Sequence, residues 1–128
     1  MSLFDPSAII NLCGEKRLDR LLGGWTLNLA FYELGNAVWK QTHLHKAVKP
    51  EDAYIVLESL IEVFKRLKKP EAEDALRTLR LSLDEGITYY DASYIQAAID
   101  NDLTLVTDDL QLHGIGRKYV KTVASSEI

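Results

Sequence analysis

Five acidic residues at four places in the chain, Asp5, Glu33, Asp91 and the adjacent pair Asp108-Asp109, have the residue type and local setting for chemistry. Asp5 directly follows the apolar stretch Met1–Phe4, and Asp108-Asp109 directly follows Leu103–Thr107. If both stretches are neighbouring strands of a parallel sheet, these acids meet beyond its C-terminal edge, where open α/β sheets bind ligands. Asp91 falls in the first turn of a helix opened by Thr88, where free amides and the dipole favour an anion. Glu33 lies early in a helix that is otherwise largely apolar, with the small residues Ala30 and Ala37 on its own face. Two carboxylates ~4 Å apart at an effective dielectric near 20 repel by about 4 kcal/mol. A cluster of them must hold protons or bind cations. Hard oxygen ligands with open coordination positions suit Mg²⁺ or Mn²⁺, which serve phosphodiester chemistry.

The elements that must position these acids follow from pattern. Residues 1–4 read as a strand, and Pro6 fits the first position of a helix over Ser7–Leu12. A short helix is expected around Glu15–Leu22, closed by Gly23-Gly24. Trp25–Leu29 reads as a second strand. Asn28 or a neighbour then caps a helix from Ala30 to about Thr42. Ala53, Leu57, Leu60, Phe64 and Leu67 form one apolar stripe on a long helix from Pro50 to Leu67. A helix from Pro70 to about Glu85 stops at Gly86, and Thr88 opens another over Tyr89–Asn101. Leu103–Thr107 reads as a buried strand and Lys118–Ala124 as the last one. The tail Ser125–Ile128 reads as frayed. Short strands separated by long helices predict an α/β fold with helices on both faces of a parallel sheet.

Bulk properties set limits. The chain has 128 residues, 47% of them apolar, which suits one domain over 1–128 with one core. No apolar run reaches the roughly 20 residues of a membrane span, and no secretory signal is read at the N-terminus. Cys13 is the single cysteine, so packing alone must hold the fold, and a reducing cytoplasm is the expected location. The net charge of −4 argues against a large non-specific phosphate footprint. It leaves room for an enzyme whose nucleic-acid contact is small and metal-mediated.

Taken together, the motifs are distinctive. Phe4-Asp5-Pro6-Ser7-Ala8-Ile9-Ile10, Tyr32-Glu33-Leu34, Thr88-Tyr89-Tyr90-Asp91-Ala92-Ser93-Tyr94 and Leu105-Val106-Thr107-Asp108-Asp109 resemble, in order and spacing, the four acidic motifs of PIN domains. The resemblance implies a PIN-like three-layer α/β/α sandwich around a central, mostly parallel sheet of four to five strands. It implies a Mg²⁺- or Mn²⁺-dependent endoribonuclease with Asp5, Glu33, Asp91 and Asp109 as metal ligands and Ser7 and Thr107 in support. Pro6 replaces a more usual small residue, and Asp108 adds an acid, so that either Asp108 or Asp109 could be the fourth ligand. The short length resembles VapC toxins, which act on RNA, are held by a small antitoxin and often form homodimers.

Plainer roles stand beside these. Thr88-x-x-Asp91 is also a capping box, Asp5 a helix cap and Asp108-Asp109 a turn. Lys65, Arg66, Lys68 and Lys69 read as cations complementing a helix C-terminus rather than a phosphate patch. His43-x-His45 lacks a third metal ligand. An RNA-maturation nuclease without an antitoxin and a non-catalytic interaction module are the competing functions. A phosphoacceptor receiver domain or a haloacid-type phosphatase would need a lysine or second aspartate that the chain does not supply in place.

Overall fold

The computed structural model describes residues 1–128. Three strands, β1 (Ser2–Phe4), β2 (Thr104–Val106) and β3 (Thr122–Val123), pair in parallel in the order β1-β2-β3. Around them run α1 (Pro6–Gly14), α2 (Ala30–Trp39), α3 (Pro50–Arg66), α4 (Ala75–Glu85), α5 (Tyr89–Asn101) and α6 (Leu110–Gly116).

The register shows how so short a sheet organises two cores. Leu3 lies opposite Leu105, and Phe4 opposite Val106. Side chains alternate across a strand, so these two pairs face opposite ways. Leu3 and Leu105 join Leu81 of α4, Ile95 of α5 and Leu112 of α6. Phe4 and Val106 join Ile9 of α1, Leu34 of α2 and Leu60 of α3. The result is an α/β/α sandwich with its cores on the two sheet faces. Each fully buried aliphatic or aromatic side chain of this kind stabilises the fold by about 1.5–3 kcal/mol. The stripe on α3 behaves as its spacing predicts: Leu60 and Leu67 are buried, and Ala53, Leu57 and Phe64 pack beside them.

Several boundaries differ from the sequence reading. The sheet has three strands rather than four to five, because Trp25–Leu29 is not a strand. Trp25 alone bridges Leu3 on one side and Lys68 on the other. Gly24 leads into that bridge, and a turn closed by the Ala30 amide on the Leu27 carbonyl leads out of it. The edge is thus extended by two single-residue bridges. Holding Lys68 against Trp25 also keeps the chain out of a helix around Pro70, and α4 begins only at Ala75. There Asp74 caps it, accepting from the Arg77 amide at 3.0 Å.

The helix expected at Glu15–Leu22 is a 3-10 turn over Leu18–Leu21. The helix after Asn28 has no side-chain cap, and it passes at Lys40–Leu44 into a π-turn. The last strand is only Thr122–Val123, since residues 117–120 still bond back to α6. The C-terminal tail is not frayed: Ser125–Glu127 form a 3-10 turn, and Ser125 is buried. No helix is long and apolar enough to cross a membrane.

Candidate active site

The C-terminal ends of β1 and β2 lie side by side, and each is followed within three residues by an aspartate that caps the next helix. The Asp5 carboxylate accepts from the Ala8 amide at 3.0 Å and so caps α1. Pro6 presets the first helical φ. Ser7 donates to Asp5 Oδ1 at 2.7 Å, and Thr107, from the end of β2, donates to Oδ2 at 2.6 Å. Thr107 Oγ1 in turn accepts from the Asp109 amide at 3.1 Å. Asp109 caps α6 by accepting from the Leu112 amide at 2.9 Å. Two hydroxyl side chains thus tie the two strand ends and their acids into one unit.

The other two acids come from helices on opposite sides of the sheet. Glu33 sits in the first turn of α2 and Asp91 in the first turn of α5. Thr88 caps α5 by accepting from the Asp91 amide at 3.1 Å, which leaves the Asp91 carboxylate outside the capping bond. Tyr94 lies one turn beyond Asp91 on the same face. Its ring is buried in the core, and its hydroxyl donates to Glu33 Oε1 at 2.7 Å. That bond joins α5 to α2.

Asp5, Glu33, Asp91 and Asp109 all line one cleft of about 710 Å³, with Ser7, Tyr32, Asn36, Lys40, Tyr90 and Tyr94 among its walls. Thr107 stands behind it, in contact with Asp5. Asp108 turns away. It accepts from Asn11 Nδ2 at 2.7 Å, from the Ser125 amide at 2.8 Å and from the Ser125 hydroxyl at 2.6 Å. Burial raises its pKa, but these bonds outweigh burial and hold the carboxyl below its ordinary value.

The cleft acids shift the other way. Asp5 is only 4% exposed, and burial pushes it up to about 6 despite the bonds from Thr107, Ala8 and Ser7; the charge of Asp109 adds to the rise. Burial also raises Glu33, against the Tyr94 bond and with help from Asp91 and Asp5. Asp91 is raised by burial and by Asp109. These groups feel one another, as a shared site requires.

No three or more His, Cys, Asp or Glu side chains stand close enough in this arrangement to cage an ion. The side chains present, hard carboxylate oxygens on the walls of a roomy cleft, would suit an ion that keeps part of its water shell. Mg²⁺ commonly keeps several waters and takes one or two carboxylates rather than an all-protein cage.

The sequence is 38% identical over 115 residues to exonuclease VapC9 of Pyrobaculum aerophilum, covering 86% of this chain and 81% of that protein. The chain belongs to the VapC-like PIN family. It is also 40% identical over 89 residues to ribonuclease VapC3 of the same organism, covering 68% of this chain and 66% of the relative. The crystal structure of PAE2754, again from Pyrobaculum aerophilum, superposes with a TM-score of 0.81 at 29% identity, over 98% of this chain and 84% of that one. No family model matches the sequence.

In this family member the cleft also contains residues that the motif positions alone do not single out. Tyr94 is legible only as the residue one helical turn after Asp91. Asn36 and Lys40 continue the Glu33 face of α2 at helical spacing. The basic run after α3 has local uses. Lys69 Nζ caps the Leu67 carbonyl at 2.7 Å and lies 4.0 Å from the Phe64 ring centre, and Lys68 lies over Trp25. His43 stacks on Trp39, with ring centres 5.2 Å apart. A larger hollow of about 910 Å³, between Lys68, Lys69 and the start of α4, contains none of the four acids.

Proposed function

We propose that this chain hydrolyses RNA phosphodiester bonds with the help of Mg²⁺ or Mn²⁺ held among Asp5, Glu33, Asp91 and Asp109. The observation that carries this reading is that acids from four separated parts of the chain line one cleft. The names of the two curated relatives, an exonuclease and a ribonuclease, support it. Held by these four carboxylates, a divalent ion would supply Lewis-acid polarisation of the phosphate and a lower pKa for water. The chain's own contribution is geometric and electrostatic. Ser7 and Thr107 fix the Asp5 carboxylate, and Tyr94 fixes Glu33. Lys40 brings a cation to the acid-lined cleft. In-line attack of water on phosphorus with loss of the 3′-oxygen leaves a 5′-phosphate.

The biological setting included in the reading is a VapBC-type toxin in the cytoplasm, silenced by a small antitoxin and paired with a second copy of itself. Leu76, Leu79 and Leu83 stand exposed along α4 and are suited to such protein contacts.

The test uses linear and circular single-stranded RNA with Mn²⁺. Both are expected to be cut by the wild-type chain. Asp91→Asn is expected to retain the thermal transition and lose cleavage by about 100-fold or more, the scale on which electrostatic stabilisers of a transition state act. Undiminished cleavage by Asp91→Asn would remove the basis for the site. Cutting of linear RNA alone would favour exonucleolytic action, a second reading prompted by the exonuclease name of one relative.

A further inference from the structure

The cleft carries two exposed aromatic rings that hydrolysis itself does not require. Tyr32 directly precedes Glu33 and Tyr90 directly precedes Asp91, and both line the cleft. Tyr32 is 73% exposed and Tyr90 59%. Tyr32 is also braced. Its ring meets Phe31 edge-on at 5.2 Å, and Phe31 meets Phe64 at 5.8 Å. A ring held by such a contact while mostly exposed loses less entropy on binding.

Charge indicates what these rings are for. The chain carries −4 overall, and four acids line the cleft against a single cation, Lys40. A polyanion therefore gains little here from phosphate neutralisation, the usual source of nucleic-acid affinity. Stacking of bases on aromatic side chains is the alternative source, and it requires unpaired nucleotides.

We propose that Tyr32, on the α2 wall, and Tyr90, on the α5 wall, are stacking platforms for the two bases flanking the scissile phosphodiester, with Lys40 on a neighbouring phosphate. The proposal rests on the nuclease reading and deepens it, making local unpairing of the strand a condition of binding.

The experiment measures fluorescence-anisotropy binding of a short single-stranded oligoribonucleotide in EDTA, and kcat and KM for the same strand in Mn²⁺. Tyr32→Leu and Tyr90→Leu are each expected to weaken binding by about 5- to 150-fold, the equivalent of about 1–3 kcal/mol. The loss falls mainly on KM, and Tyr32→Phe and Tyr90→Phe restore it. A duplex of the same sequence competes poorly. The plot of log affinity against log salt has a slope of about −1, since one or two phosphates are contacted at about −0.7 each. Leucine variants that bind as wild type, a slope several-fold steeper, equal binding of duplex, or no binding by wild type in either buffer each overturns the proposal. Cleavage by wild type with unaffected leucine variants sinks only this inference. Tyrosine-dependent binding without any cleavage sinks only the nuclease reading.

Discussion

Asp108 and Asp109 are adjacent in sequence yet meet different surroundings. The Asp108 carboxylate is engaged by Asn11 and twice by Ser125, whereas Asp109 lines the cleft and gives one oxygen to the α6 cap. A carboxylate already saturated by neutral donors is a poor competitor for an ion, which must displace them. Asp109→Asn is therefore expected to weaken Mn²⁺ binding by about 10-fold or more. Asp108→Asn keeps an acceptor for the Ser125 amide and is expected to leave the Mn²⁺ affinity near wild type while lowering thermal stability. Isothermal titration of both variants distinguishes the two positions, and the reverse ranking would make Asp108 the ligand.

At the level of elements, the site depends on how closely Trp25 approaches β1. Gly24 makes that approach possible. A Cβ there would stand 2.4 Å from Phe4 Cε2 and 3.0 Å from the Leu21 carbonyl oxygen. Phe4 is locked in the core and immediately precedes Asp5, so it cannot swing away cheaply. Gly24→Ala is expected to cost about 1–3 kcal/mol, read as a lower midpoint in denaturant, with reduced metal affinity as Asp5 shifts. The parts of this arrangement that depend on local chemistry were legible in the sequence. The Asp5-Pro6 helix start, the Thr88 cap and the strand before Thr107 each rest on a few adjacent residues, and the α3 stripe on one periodic pattern within a single helix. The parts set by distant partners were not. Trp25–Leu29 has β-favouring residues, yet it pairs through one residue because turns flank it. Pro70 has the chemistry of a helix start, but the bridge from Lys68 to Trp25 keeps that stretch out of a helix and hands the start to Asp74. The bond from Tyr94 to Glu33 spans 61 residues and leaves no local trace beyond the one-turn spacing from Asp91.

For the molecule as a whole, gathering acids in a half-buried cleft sets a pH dependence with a definite sign. Asp5, raised to about 6, keeps its proton when folded through a range where the unfolded chain has released it. The metal-free protein therefore loses stability as pH climbs from about 4 to about 6, by about 3 kcal/mol from Asp5 once the rise is complete. Glu33 and Asp91 shift in the same direction. A divalent cation binds the ionised form and so opposes the loss. At 100 times its Kd it contributes about 2.7 kcal/mol, or roughly 10 °C in Tm for a chain of this size. Thermal unfolding with and without Mn²⁺ is expected to show this gain near pH 7.5 and almost none near pH 4.5; equal gains at both would place the ion elsewhere. Residues 125–128 reach the loop after β2. Arg17 reaches the main-chain carbonyls of Ser125 and Ile128, and Ser125 in turn clasps Asp108. A cut that removed Ser125–Ile128 would touch none of the cleft acids. It would nonetheless strip two of the three bonds from the Asp108 carboxylate and leave Asn11 alone to hold the loop that carries Asp109, turning a remote nick into slack at the wall of the cleft.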